Sequence, residues 1–135
     1  MLKKLRDTRG EFVVSGSFKL ILSMMGLVLV ISVFGIVNRV STLNTIADEA
    51  VRYIEVRGRV DSAVYSEISR LQASSKLNCD YTIEAAYMPG TDKVQFGDLV
   101  AVQLRHTDYF GIGGVIRLPV TLHSRAEGRS EQYWK

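Results

Sequence analysis

His106 and Asp108 are the two residues of this chain whose types and spacing most resemble catalytic machinery. Residues two apart on a strand share a face, so a carboxylate could orient the imidazole as an acid–base pair. The pair lacks a nucleophile. No Gly-x-Ser-x-Gly turn accompanies it, and Cys79 has no histidine at a recognisable spacing. His106 and His123 are the only histidines, and without further ligands they do not make a zinc site. Cys79 is the single cysteine, which excludes an intramolecular disulfide and reads as a small buried residue at a strand start. Phe110-Gly111-Ile112-Gly113-Gly114 is glycine-rich enough to suggest a phosphate loop. It lacks the Gly-Lys-Ser/Thr ending and no helical pattern follows it, so it reads as a turn between strands. The adjacent acids Asp48 and Glu49 face different sides of a helix and read as surface charges or partners of Arg52. No enzymatic activity, cofactor, metal or small-molecule substrate is expected.

Charge gives no better lead to a ligand. The net charge of +3 is too small to argue for nucleic acid. The tail carries Arg125, Arg129, Tyr133, Trp134 and Lys135, but Glu127 and Glu131 dilute its basic character. Docking of this tail on its own domain or on a neighbouring copy is expected.

The elements that would position these residues begin with Leu20–Val37, a run of 18 residues without a charge. As a helix it would be about 27 Å long, close to the hydrocarbon thickness of a bilayer. Its only polar side chains are Ser23 and Ser32, whose hydroxyls can bond back one turn. A core helix would be amphipathic, whereas this run is apolar all round. A cleaved secretory signal would be shorter and end in small residues, unlike Asn38-Arg39-Val40-Ser41-Thr42. Lys3, Lys4, Arg6, Arg9 and Lys19 precede the run against Asp7 and Glu11. Positive charge stays on the cytoplasmic side, so the N-terminus is expected inside and the rest outside. The expected division is a basic cytoplasmic leader over 1–19, a transmembrane helix over 20–38, and an extracytoplasmic α+β domain over 39–135. The lipid bilayer is thus the first partner.

Beyond the membrane, Val40, Leu43, Ala47, Ala50 and Ile54 recur at intervals of three and four. They form an apolar stripe, so the helix is expected to continue and pack that stripe on a domain. Gly58 is its expected stop. A second, short helix should start after Asp61 or Ser62, with Val64, Ile68 and Leu71 on its apolar face. From Asn78 the period becomes two. Tyr81, Ile83, Ala85 and Tyr87 share one face of a first strand, and Met88–Asp92 is a turn. Val94 and Phe96 open a short strand. Val100, Val102 and Leu104 define another, and Ile116, Leu118, Val120 and Leu122 the last, with Pro119 marking an edge or a bulge. The expected fold class is α+β: a long N-terminal helix, a second short helix and a three- to four-stranded antiparallel sheet.

The basic leader ending in Arg9-Gly10-Glu11-Phe12, and the apolar helix that continues into an amphipathic one, resemble the plan of type IV pilin-like proteins. The resemblance is especially to the TadE-like pseudopilins of tight-adherence (Tad) secretion systems. More narrowly, Asp48–Val60, Pro89–Gln95 and Gly128–Lys135 resemble a family of unknown function from Firmicutes. Its members are small, membrane-anchored and similar to TadE-like proteins. The resemblance spans nearly the whole chain. It implies a minor subunit or assembly component of a Tad-type pilus or secretion apparatus, partnered by other pilin-like subunits or an assembly platform. It also implies prepilin-peptidase cleavage between Gly10 and Glu11. Mature pilins usually carry glutamate as their fifth residue; here that position is Ser15. The alternative is an uncleaved, membrane-anchored extracytoplasmic binding domain.

Overall fold

A computed structural model describes the backbone of residues 4–111 and 116–135, and side chains from Val14 onward within that range. Helix α1 (Lys4–Arg57) runs unbroken for 54 residues, about 80 Å at the usual rise. Helix α2 (Ser62–Ser75) follows, then strands β1 (Asp80–Ala85), β2 (Leu99–Phe110) and β3 (Leu118–Arg129). The strands form one antiparallel sheet in the order β1-β2-β3. Ile83 lies opposite Val102, and Val102 opposite Ala126. The architecture is α+β, with the sheet laid against the C-terminal half of α1.

The core forms where two periodicities meet. Leu43, Ala47, Ala50 and Ile54 are buried, and Val40 is partly buried beside them. Ile46 and Val51 complete the stripe, which faces Val100, Val102 and Leu104 of β2 and Leu122 and Ala126 of β3. From α2, Val64, Ile68 and Leu71 close the core. Two buried hydroxyls lie among these apolar groups and both are satisfied, as burial demands. Ser124 donates to Asn44 of α1 at 2.7 Å, and Ser130 to the Val94 carbonyl at 3.0 Å.

The far end of α1 is a knot of hydrogen bonds around Gly58. Its φ of 63° is the left-handed conformation that ends a helix, and glycine adopts it without strain. The Gly58 carbonyl accepts from the Val94 amide at 2.8 Å and the Trp134 indole at 3.0 Å. A Cβ at Gly58 would collide with Gln132. Gln95 clamps the Trp134 backbone through both its side-chain atoms, and the Lys93 ammonium sits 4.3 Å from the indole centroid. The tail therefore docks on its own domain. Asp61 caps α2 by accepting from the Ala63 amide at 3.1 Å, while Arg57 and Arg59 bind its other oxygen.

Three sequence expectations need correction. Val94 and Phe96 do not open a strand. Val94 is pinned to Gly58 and bridges Tyr87, and Gly97, with φ of 84°, turns the chain. The first strand ends at Ala85, leaving Tyr87 only that isolated bridge. The last strand starts at Leu118 and continues to Arg129, through residues that read as a tail. Its core-facing positions there are Ser124, Ala126 and Gly128, because α1 comes too close for larger side chains. A Cβ on Gly128 would collide with the Glu55 carboxylate and lie 2.7 Å from Val51 Cγ1. Pro119 falls on the edge strand, where a missing donor is tolerated.

Candidate functional site

Of the residues singled out for chemistry, His106, Asp108 and Cys79 are engaged structurally. His106 and Asp108 share the helix-facing side of β2, yet they do not pair. His106 Nδ1 meets the Asn78 carbonyl, and Asp108 forms an ion pair with Arg39 of α1. His123 is exposed on the opposite face of the sheet. Cys79 is half-buried with its sulfur 3.2 Å from Gln72 Nε2, and burial pushes its thiol pKa up, against nucleophilic use. Among the described residues, no three His, Cys, Asp or Glu side chains gather as a metal site would need. Arg52 turns to Glu131 at 2.9 Å and Glu55 at 3.4 Å; Asp48 and Glu49 stay on the exposed surface. An open depression of about 570 Å³ on the outer face of the sheet is lined by Thr82, Gln103, Arg105, His123 and Arg125. Arg125 is already held there by Glu84 and Glu127.

The unusual feature is the near half of α1. From Val14 to Val37 its side chains are apolar except for Ser15, Ser17, Ser23, Ser32, Lys19 and three glycines, and nearly all are exposed; Phe34 is 75% exposed. The described helix is long and apolar enough to cross a membrane. Among the described residues, no other secondary-structure element covers residues 14–31. An aqueous surface would not leave so much contiguous apolar area open.

The β2–β3 hairpin descends along α1 towards this bare half. The helix-facing positions of β2 change as it descends. Val100, Val102 and Leu104 lie in the core, His106 and Asp108 follow at the rim, and Phe110 comes last. Asp108 pairs with Arg39, two residues beyond the uncharged run. The Ser32 hydroxyl donates its one proton back along the helix to the Val28 carbonyl at 2.9 Å and lies 3.4 Å from the Gly111 carbonyl of the hairpin. A cleft of about 180 Å³ separates helix from hairpin here, lined by Ser32, Gly35, Ile36, Phe110 and Gly111. This contact had no signal in the sequence, since Ser32 and Gly111 lie 79 residues apart. By contrast Ile46 and Val51 were legible, lying three residues from Leu43 and Ile54 respectively. Gly10 and Glu11 lie on the backbone of α1, but their side chains and surroundings fall outside the described residues. The Gly111–Gly114 turn falls outside them from residue 112 onward.

A family model described as a domain of unknown function (DUF4320) matches residues 20–135, beginning at the first residue of the uncharged run. Neither a curated protein nor a solved structure matches the chain.

Proposed function

We propose that this chain, which belongs to the DUF4320 family, is a single-pass membrane protein acting as a pilin-like, TadE-like minor subunit or assembly component of a Tad-type pilus or secretion apparatus. It works by packing, not by catalysis. The observation that carries this reading is the division of α1. One continuous helix is apolar all round and bare near its start, then amphipathic and packed on an antiparallel sheet near its end. That is the plan of pilin-like subunits, whose projecting apolar helix sits in the bilayer before assembly and against neighbouring helices afterwards. Support comes from the resemblance of Asp48–Val60, Pro89–Gln95 and Gly128–Lys135 to small TadE-like membrane proteins of Firmicutes. The basic residues before Leu20 favour an N-terminus in the cytoplasm and a domain on the far side.

A permanently anchored extracytoplasmic binding domain is the second reading. Two observations favour it. Ser15 stands where a pilin would present glutamate to its neighbour's amine. The hairpin also occupies the surface of α1 around Ser32, which a filament neighbour would otherwise use. Intact mass of the protein from its native membrane separates the two. The pilin-like reading expects a chain beginning at Glu11 and loss of that species in Gly10→Ala. It also expects a scarce subunit in any purified filament. A mass beginning at Met1 and unchanged by Gly10→Ala leaves the permanent anchor.

A further inference from the structure

We propose that the outer face of the sheet carries a binding site for a phosphate oxyanion, built on Arg105 of β2 and His123 of β3. Three arginines lie in the strands. Arg125 is held by Glu84 and Glu127, and Arg129 donates to the Gly97 carbonyl at 2.8 Å. Arg105 is exposed and, among the described residues, forms no ion pair and no side-chain hydrogen bond. Asp80 stands opposite it on β1, yet the two do not pair.

The register places His123 directly opposite Arg105 on the other side. Opposed residues on one face have Cβ atoms about 5 Å apart, and two cations there repel. An oxyanion seated between them removes that repulsion whenever the imidazole is protonated. The Arg105 guanidinium keeps its whole fork of N–H donors free, and such a fork matches two phosphate oxygens. The Thr82 hydroxyl adds a donor from β1. These groups line the open depression of about 570 Å³, which has room for the organic part of a phosphate ester. The neighbouring carboxylates leave it open to an anion. Glu84 and Glu127 are turned to Arg125, and Asp80 stays on the β1 side.

Two sources present this chemistry: a soluble phosphate ester and the headgroup of an anionic lipid. Arg105 lies three residues along β2 from Asp108, about 10 Å. Asp108 pairs with Arg39, two residues beyond the uncharged run. With Leu20–Val37 in lipid, the site stands within about a Debye length of the headgroups. The soluble source needs no membrane, so the site itself does not depend on that reading.

The test follows the imidazole NMR signals of the full-length chain, whose two histidines report opposite faces of the sheet. His123→Gln assigns the pair. Inorganic phosphate is titrated in nonionic detergent against chloride at equal ionic strength. In parallel, the chain is placed in phosphatidylcholine nanodiscs with and without phosphatidylglycerol. The expected result is a saturating shift of the His123 signals while those of His106 stay in place. Arg105→Gln should weaken the binding about tenfold, the loss of a charged hydrogen-bonded pair. A response to inorganic phosphate in detergent supports the site and assigns it to soluble esters. A response only to phosphatidylglycerol, lost in Arg105→Gln, supports it and assigns it to the headgroup. Should Arg105→Gln lower the melting of the domain, Arg105→Lys takes its place, with a several-fold loss expected because the fork is gone. No movement of His123 with either probe would overturn the inference. So would equal movement of both histidines, or binding unchanged by the Arg105 substitution.

Discussion

Two stretches of one helix obey different rules. Between Val14 and Val37 apolar side chains point in every direction and, among the described residues, meet no other element until the hairpin touches Ser32. Between Val40 and Ile54 apolar residues keep to one side, and that side is buried. Helical geometry is constant along α1, so the difference records the surroundings each half was selected for. An all-round apolar surface suits a solvent that is apolar all round. A stripe suits a helix with a sheet on one side and water on the other. Since the backbone runs through Asn38 without a break, the domain's orientation is tied to the bare apolar half of the helix.

The largest effect should come from charging the packed half. Leu43→Asp or Ile54→Asp places an unpaired carboxylate among Val100, Val102 and Leu104. Each should destabilise the domain by about 4–5 kcal/mol, read as loss of its thermal transition in detergent. If both variants melt like the parent, the two halves do not differ as described. Next comes a charge in the bare half. Leu29→Arg should cost membrane insertion about 3 kcal/mol, read as a shift of protein out of the membrane fraction. The melting of the domain in detergent should stay unchanged, because Leu29 lies outside the core. Unfolding of the domain by this substitution would mean that the bare half supports the fold.

The smallest effect sharpens the comparison at the far end of α1. Burial pushes the Asp61 pKa up, but the Arg57 charge and hydrogen bond, with the Val64 and Ala63 amides, outweigh it and leave the value lowered. A carboxylate with a lowered folded-state pKa contributes stability that is fully present above its unfolded value, about 4, and is lost as pH falls through the folded value. Asp61→Ala should cost about 1 kcal/mol at neutral pH, as loss of an N-cap does. The gap to the parent should close on acidification below about pH 4. A gap that persists at all pH values would show that the ionised carboxylate is not what caps α2.

How much of this was legible in the sequence follows from which forces are local. The stripe, the Gly58 stop, the choice of Asp61 or Ser62 as the cap of α2 and the alternation of Val100, Val102 and Leu104 are each set within a few residues, and each could be read directly. The far part of β3 was hidden because close approach of α1 selects Ser124, Ala126 and Gly128, which carry little hydrophobic signal. Val94 misled because burial beside Gly58 looks, in one dimension, like the start of a strand. The hairpin's contact with Ser32 could not be read at all. It depends on strand length and on the direction of β2 along α1, and neither is encoded near either partner. His106 and Asp108 illustrate the reverse. Their spacing suggested a dyad, and only the three-dimensional partners, Asn78 and Arg39, show what each one does.

The measurement that bears most directly on the anchored-domain account is the topology of Lys135. Alkaline phosphatase and a fluorescent protein that folds only in the cytoplasm would be fused there in parallel, each to the full chain. The division of α1 and the basic residues before Leu20 call for active phosphatase and no fluorescence, with the fusion retained in the membrane fraction. Bright fluorescence with inactive phosphatase would place the domain in the cytoplasm and contradict the account.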